Sequence, residues 1–224
     1  GVFSIENGQA VPLISDQRLQ NVFIRFLLPY KNNQLLIGTA LDGIYLWNGE
    51  ELREWNPEWS NFFRENETNR AHVNEKGQLI IGTIINGAVV FDENEKHIAT
   101  WNTSSGLQNN TVLGIATDAY GNTWFALDSG IDFISDDETG GIDIETIPGI
   151  GSIYDAAVFE EKIYLGTNRG LFVKNLNNDD AGYELIPETI GQVWDCKVMN
   201  DQLFVGFNQG VLTIKNENVQ FLSE

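Results

Sequence analysis

The residues of this chain best suited to chemistry are flat rings and amides rather than acid–base groups. The segment NPEWSNFFRENETN, residues 56 to 69, carries Trp59, Phe62, Phe63 and Arg64, and NTSSGLQNN, residues 102 to 110, ends on Asn109 and Asn110. Asn86, Asp128, Arg169 and Asn208 each follow a similar short apolar phrase. Aromatic faces beside amide and carboxylate groups suit sugar rings, whose C–H faces stack while their hydroxyls need both donors and acceptors. These residues are the candidate contacts for a small-molecule or oligosaccharide ligand. Trp55 and Trp101 are expected instead to close gaps between neighbouring structural units.

Catalytic patterns are scarce. His72 and His97 stand in no HExxH, HxH or Cys–His spacing, and no GxSxG elbow, GxxxxGK phosphate loop or GxGxxG fingerprint occurs. Asp136, Asp137 and Glu138, then Asp143 and Glu145, and again Asp179 and Asp180, offer oxygen ligands of the calcium type, but without the alternate-residue pattern of an EF-hand. Solvated turn charges are the expected reading, with no metal and no cofactor. Paired carboxylates for glycoside cleavage remain an alternative to a non-catalytic protein, because the sequence does not show two of them meeting. Cys196 lies in the alternating run VWDCKVM and is expected to be a small buried hydrophobe. The net charge of -19, from 32 acidic and 13 basic residues, repels phosphate backbones, so no nucleic-acid contact is expected. No apolar run approaches the roughly 18 residues of a membrane span, so no membrane contact by this segment is expected.

The elements that position these groups repeat. LLIGTALDG (35 to 43) returns as LIIGTIING (79 to 87), WFALDSG (124 to 130), IYLGTNRG (163 to 170) and LFVGFNQG (203 to 210). The closing glycines Gly43, Gly87, Gly130, Gly170 and Gly210 are 40 to 44 residues apart. Each period holds four short apolar or alternating runs bounded by turn residues; in the third they are 112–118, 123–127, 130–135 and 142–147. A period near 42 with four antiparallel strands is the blade of a β-propeller, so the fold class is all-β. The predicted blades cover about 20–56, 69–102, 111–148, 152–187 and 192–223, in one domain, 1–224. Residues 1 to 14 supply only the last two strands of a further blade. Such a count predicts a fragment of a larger propeller, with a self-contained five-bladed ring plus half a blade as the alternative. Open edges invite pairing with another chain, as in a homodimer. The interior glycines Gly38, Gly82, Gly166 and Gly206 are read as close-packing contacts, a role Ala126 takes in the third unit.

GLQNNTVLGIATDAYGNTWFALDSGID (106 to 132), with GSIYDAAVFEEKIYLGTNRGLFVKN and GQVWDCKVMNDQLFVGFNQGVLTI, resembles the two-component regulator propeller repeats of bacterial sensor proteins. The pattern of Asp118, Gly121, Asn122, Trp124 and Gly130 carries the likeness, which extends over nearly the whole chain. The resemblance implies a large propeller outside the cytoplasmic membrane, hence a periplasmic location, followed by a triple-tyrosine domain, one membrane helix and an intracellular kinase or helix-turn-helix module. It further implies a non-catalytic glycan-sensing segment. It carries over scaffold positions and no ligand residues. A protein-interaction platform, a purely structural half-ring and a glycan-cleaving propeller are the alternatives.

Overall fold

The computed structural model describes residues 1–128, 130–135, 142–145, 150–178 and 182–223. A hairpin of β1 (Val2–Glu6) and β2 (Gln9–Ile14) comes first. Five four-stranded antiparallel sheets follow, each with its strands paired in chain order. Blade one is β3 (Ile24–Tyr30), β4 (Gln34–Thr39), β5 (Ile44–Trp47) and β6 (Leu52–Glu54). Blade two is β7 (Thr68–Val73), β8 (Leu79–Thr83), β9 (Ala88–Phe91) and β10 (His97–Trp101). Blade three is β11 (Val112–Thr117), β12 (Thr123–Leu127), β13 (Ile131–Ile134) and β14 (Ile142–Glu145). Blade four is β15 (Ile153–Phe159), β16 (Lys162–Thr167), β17 (Leu171–Asn175) and β18 (Glu184–Leu185); blade five is β19 (Val193–Met199), β20 (Gln202–Phe207), β21 (Gly210–Lys215) and β22 (Asn218–Ser223). One helix, α1 (Ser60–Asn66), interrupts the pattern. The architecture is the predicted β-propeller.

The first strand of each blade is innermost. β3, β7, β11, β15 and β19 together line a central channel, and β3, β7, β11 and β15 each pack on the first strand of the next blade. The core lies between blades, as a series of layers. Leu36, Leu46 and Trp55 of blade one meet Leu79, Ile81 and Phe91 of blade two; Ile80 and Val90 meet Phe125 and Leu127; Tyr164 and Leu171 meet Leu203 and Leu212. Trp101 reaches Phe125 edge-on at 5.5 Å, so both Trp55 and Trp101 seal blade junctions as expected. A sheet buried on both faces has no polar side to display. That is why its second strands are continuous apolar phrases, with every residue of Leu79–Thr83 and Thr123–Leu127 buried.

Blade stacking also sets the interior glycines. A Cβ on Gly82 would lie 2.5 Å from Val112 Cγ1 of the next blade, and one on Gly166 would lie 2.8 Å from Val193 Cγ1. At Gly206 the nearest atom is 3.9 Å away, so the packing reading does not hold there; at Gly38 the crowding comes from Phe26 of its own sheet. Asp118 explains the distinctive third-unit motif. Its carboxylate, 3% exposed, accepts the N–H groups of Tyr120 and Asn122, the Asn122 amide at 2.9 Å and the Trp124 indole at 2.8 Å. The motif therefore builds a hairpin.

Candidate ligand site at the central channel

The 56–69 segment turns its rings inward. Pro57 opens a 3₁₀ turn (Pro57–Trp59) that runs into α1, and the spacing of Trp59, Phe62 and Phe63 places all three on one helical face. Phe63, expected as a ligand contact, is fully buried between Trp55 and Phe91 as part of the core. Trp59 lies edge-on to Phe91 at 5.2 Å and tilted against His97 at 4.6 Å, while Phe62 packs on Phe63 and Trp59. Arg64 donates to Glu54 Oε1 at 2.6 Å, and Ser60 also bonds that carboxylate, pinning the helix to β6. The insertion is a clamp across blades one and two.

The predicted amides are largely engaged in loop closure. Asn86 Oδ1 accepts from Asn102 at 3.0 Å, Asn109 Oδ1 from the Thr111 N–H at 2.8 Å, and Asn110 Oδ1 from the Thr103 N–H at 2.8 Å. Asp128 and Arg169 are exposed on separate second-to-third strand turns, and the Arg169 N–H donates to Thr167 Oγ1 at 3.0 Å. Asn208 differs. Its Oδ1 accepts the Trp194 indole N–H at 2.8 Å and its Nδ2 lies 3.4 Å from Gln192 Oε1. The acidic residues Asp136, Asp137, Glu138, Asp179 and Asp180 lie outside the described residues, and among those described no cluster of three or more metal-ligating side chains occurs.

The innermost strands supply the site. All five carry a register shift at one position, between the first and third residues: Ile24/Phe26, Thr68/Arg70, Val112/Gly114, Ile153/Asp155 and Val193/Asp195. A bulge adds one unpaired residue and re-aims the side chains around it. The residues so placed are Arg25–Phe26, Asn69–Arg70, Leu113–Gly114, Tyr154–Asp155 and Trp194–Asp195. Backbone geometry repeats while the chemistry changes at every blade. The Tyr154 and Trp194 rings stack at 5.0 Å and 11°, and Trp194 remains 48% exposed beside the Asn208 and Gln192 amides. One residue further on, the channel begins. It is about 610 Å³, and its lining includes Arg25, Arg70, Asp155, Asp195 and Lys197 together with the His72 imidazole. The glycine alignment of the repeats does not single out these positions; the available signal is a pair of residues that differs in every unit just after an Ile, Thr or Val.

Burial sets the electrostatics here. Asp155 Oδ2 accepts the Cys196 N–H at 2.9 Å, tying blade four to blade five, and a Cβ on Gly114 would meet Asp155 atoms at 2.9 Å. Desolvation pushes the Asp155 carboxyl up to about 7, with the Asp195 charge adding to the rise and Arg70 opposing it. His72, bonded to Thr117 Oγ1 at 2.8 Å, is held down to about 4 by burial and then by the Lys197 charge. It is a neutral imidazole at pH 7. Burial, then Asp155 and Asp195, push the Cys196 thiol well above its ordinary range, which makes it the inert hydrophobe expected.

Comparison with known proteins supplies the fold and little else. No protein-family model matches the chain, and no curated protein matches it. Among solved structures, the extracellular domain described for a hybrid two-component system of B. thetaiotaomicron is 20% identical with a TM-score of 0.76, covering 95% of this chain and 30% of that one. A second such domain from that organism is 18% identical at TM-score 0.72, covering 96% and 32%. A catalytically inactive histidine-to-alanine form of virginiamycin B lyase from Staphylococcus aureus, solved with quinupristin, is 13% identical at TM-score 0.73, covering 92% and 71%. The chain thus spans under a third of the length of the extracellular domains it matches. Its blades superpose on theirs, and the fold it shares with them is the β-propeller.

Proposed function

We propose that this chain is a ligand-sensing propeller segment of a bacterial signal-transduction regulator, working outside the cytoplasm, in the periplasm, and recognising a glycan fragment without cleaving it. The observation that carries this reading is the Tyr154–Trp194 stack at the channel mouth. One ring is backed by its neighbour and flanked by the Asn208 and Gln192 amides, as stacking on a sugar requires. The likeness to extracellular domains of two-component systems supports the sensing role and the location. A ligand alters signalling only through different affinities for two receptor states, so sugar bound here shifts how paired receptors dock. Titration calorimetry of this chain with a panel of neutral and acidic oligosaccharides tests the reading. Binding that Trp194→Ala abolishes supports it, and no heat from any sugar overturns it.

Cleavage is the second reading, favoured by Asp155 and Asp195, two carboxyl groups in one channel, the first of them raised. Asp155, however, is 8% exposed and already bonded to the Cys196 N–H, which makes it a tie between blades. Product analysis after incubation separates the readings: shortened sugars that disappear with Asp195→Asn would establish the enzyme.

A further inference from the structure

We propose that the sugar read at this mouth carries a negative charge, a uronate carboxylate or a sulfate ester, which Arg70 and Lys197 hold in the channel. The inference rests on the glycan reading above and adds the chemistry of the ligand.

Charge distribution carries the argument. Acidic residues outnumber basic ones 32 to 13 in the chain, yet the channel lining holds Arg25, Arg70 and Lys197 against only Asp155 and Asp195. In so acidic a protein a cation has carboxylates in plenty, and outside the channel five cations take one, while Arg53 and Lys96 show no ion pair among the described residues. Arg18 pairs with Asp16, Arg64 with Glu54, Lys31 with Glu95, Lys162 with Glu217 and Lys215 with Asp201. Arg25 in the channel wall pairs with Glu67 at 2.7 Å. Arg70 and Lys197 have no ion-pair partner among the described residues. The half-buried Arg70 guanidinium makes a single bond, from Nη1 to the Asn69 carbonyl at 3.4 Å, which leaves most of its five N–H donors unused.

The surroundings weaken the opposing charge. Asp155 is held partly protonated by burial, and His72, close enough to sense Lys197, stays neutral. A planar guanidinium with free donors, a mobile ammonium and low-dielectric walls together form an anion receptor. The aromatic pair begins one residue away along β15 and β19, so one sugar unit can stack on Trp194 while its acidic group enters the channel. Neutral glycans would leave both cations uncompensated on binding, which is the basis of selectivity.

Calorimetry with matched probes tests this. Tetragalacturonate is compared with its fully methyl-esterified form, and a sulfated disaccharide with its desulfated form, so that each pair differs only in charge and the two pairs distinguish carboxylate from sulfate. The expected result is binding of one acidic probe about tenfold or more tighter than its neutral partner, the scale of a charge-assisted hydrogen bond. That preference should shrink with added salt and fall at least about tenfold in Arg70→Gln. Lys197→Gln, at an exposed position, should weaken the same probe with an unchanged circular dichroism spectrum and guards against a folding defect in Arg70→Gln. Equal binding of charged and neutral partners overturns the inference while leaving the glycan reading in place. So does binding of neutral sugars alone, acidic binding unaffected by both substitutions, or no binding of any acidic probe.

Discussion

The helical insertion after blade one and the bulged inner strands have opposite relations to the repeat. The insertion breaks the period and is rich in rings, yet it directs Phe63 into the core and Trp59 against Phe91 and His97. The inner strands keep their bulge at the same place in every blade, and they present Arg70 and Asp155 at the channel, with Tyr154 and Trp194 one residue before its lining. An irregular insertion must bury its own apolar surface to be stable, so its rings go to packing. A regular strand is already stabilised by its neighbours, and it is free to vary a re-aimed residue. In this repeat protein, the charged and polar side chains of the channel sit on the constant scaffold and ring packing sits on the exception.

That contrast breaks most easily at Phe63. Phe63→Ala should lower unfolding free energy by about 3–5 kcal/mol, because the surrounding core relaxes only in part, and should leave sugar titrations unchanged. Loss of binding with intact stability would return the insertion to the site. Trp59→Ala should cost about 2 kcal/mol in urea unfolding, less than a fully buried ring, where a ligand element would cost nothing. Gly82→Val should cost about 1–3 kcal/mol through its collision with Val112, while Gly206→Ala, whose Cβ would meet only ordinary van der Waals contact, should fall within about 0.5 kcal/mol. Equal effects at the two glycines would remove the claim that the next blade sets the demand for smallness.

The pH dependence sharpens the channel side. Asp155 has a folded value raised from 3.8 to about 7, so its contribution to stability is complete below the lower value and lost as pH rises through the higher. His72 has a folded value lowered from 6.5 to about 4, so its contribution is complete above 6.5 and lost as pH falls toward 4. Replacing Asp155 by Asn, which still accepts the Cys196 N–H, should therefore narrow its stability deficit as pH rises from 5 to 8. Parallel wild-type and variant curves across that window would show that the carboxyl is not buried as described. The smallest expected effect on stability is Trp194→Ala, under about 1 kcal/mol for a ring half in solvent, paired with the largest effect on sugar binding.

The repeat period, the four-strand blade and the half blade at residues 2–14 were legible before any coordinates, because strand pairing and turn closure are local demands that recur every 40 to 44 residues. So were the sealing roles of Trp55 and Trp101 and the buried Cys196. Of the expected ligand contacts, Asn208 is the one that lies beside the Tyr154–Trp194 stack, through its bond to the Trp194 indole. Asn86, Asn109 and Asn110 look like free amides in a sequence, and only coordinates show their hydrogen bonds taken by neighbouring loops.

Sequence alone, then, determined the blade and its number of strands, since alternation, glycine turns and apolar runs act within a single unit. Tertiary structure decided which side chains meet. Arg70 and Asp155 stand two blades apart in the chain and share one channel because the blades curve around it, and Tyr154 finds Trp194 across 40 residues because each lies at the same bulge of adjacent strands. Contact between units depends on their rotation about a common axis, a quantity that no single period encodes.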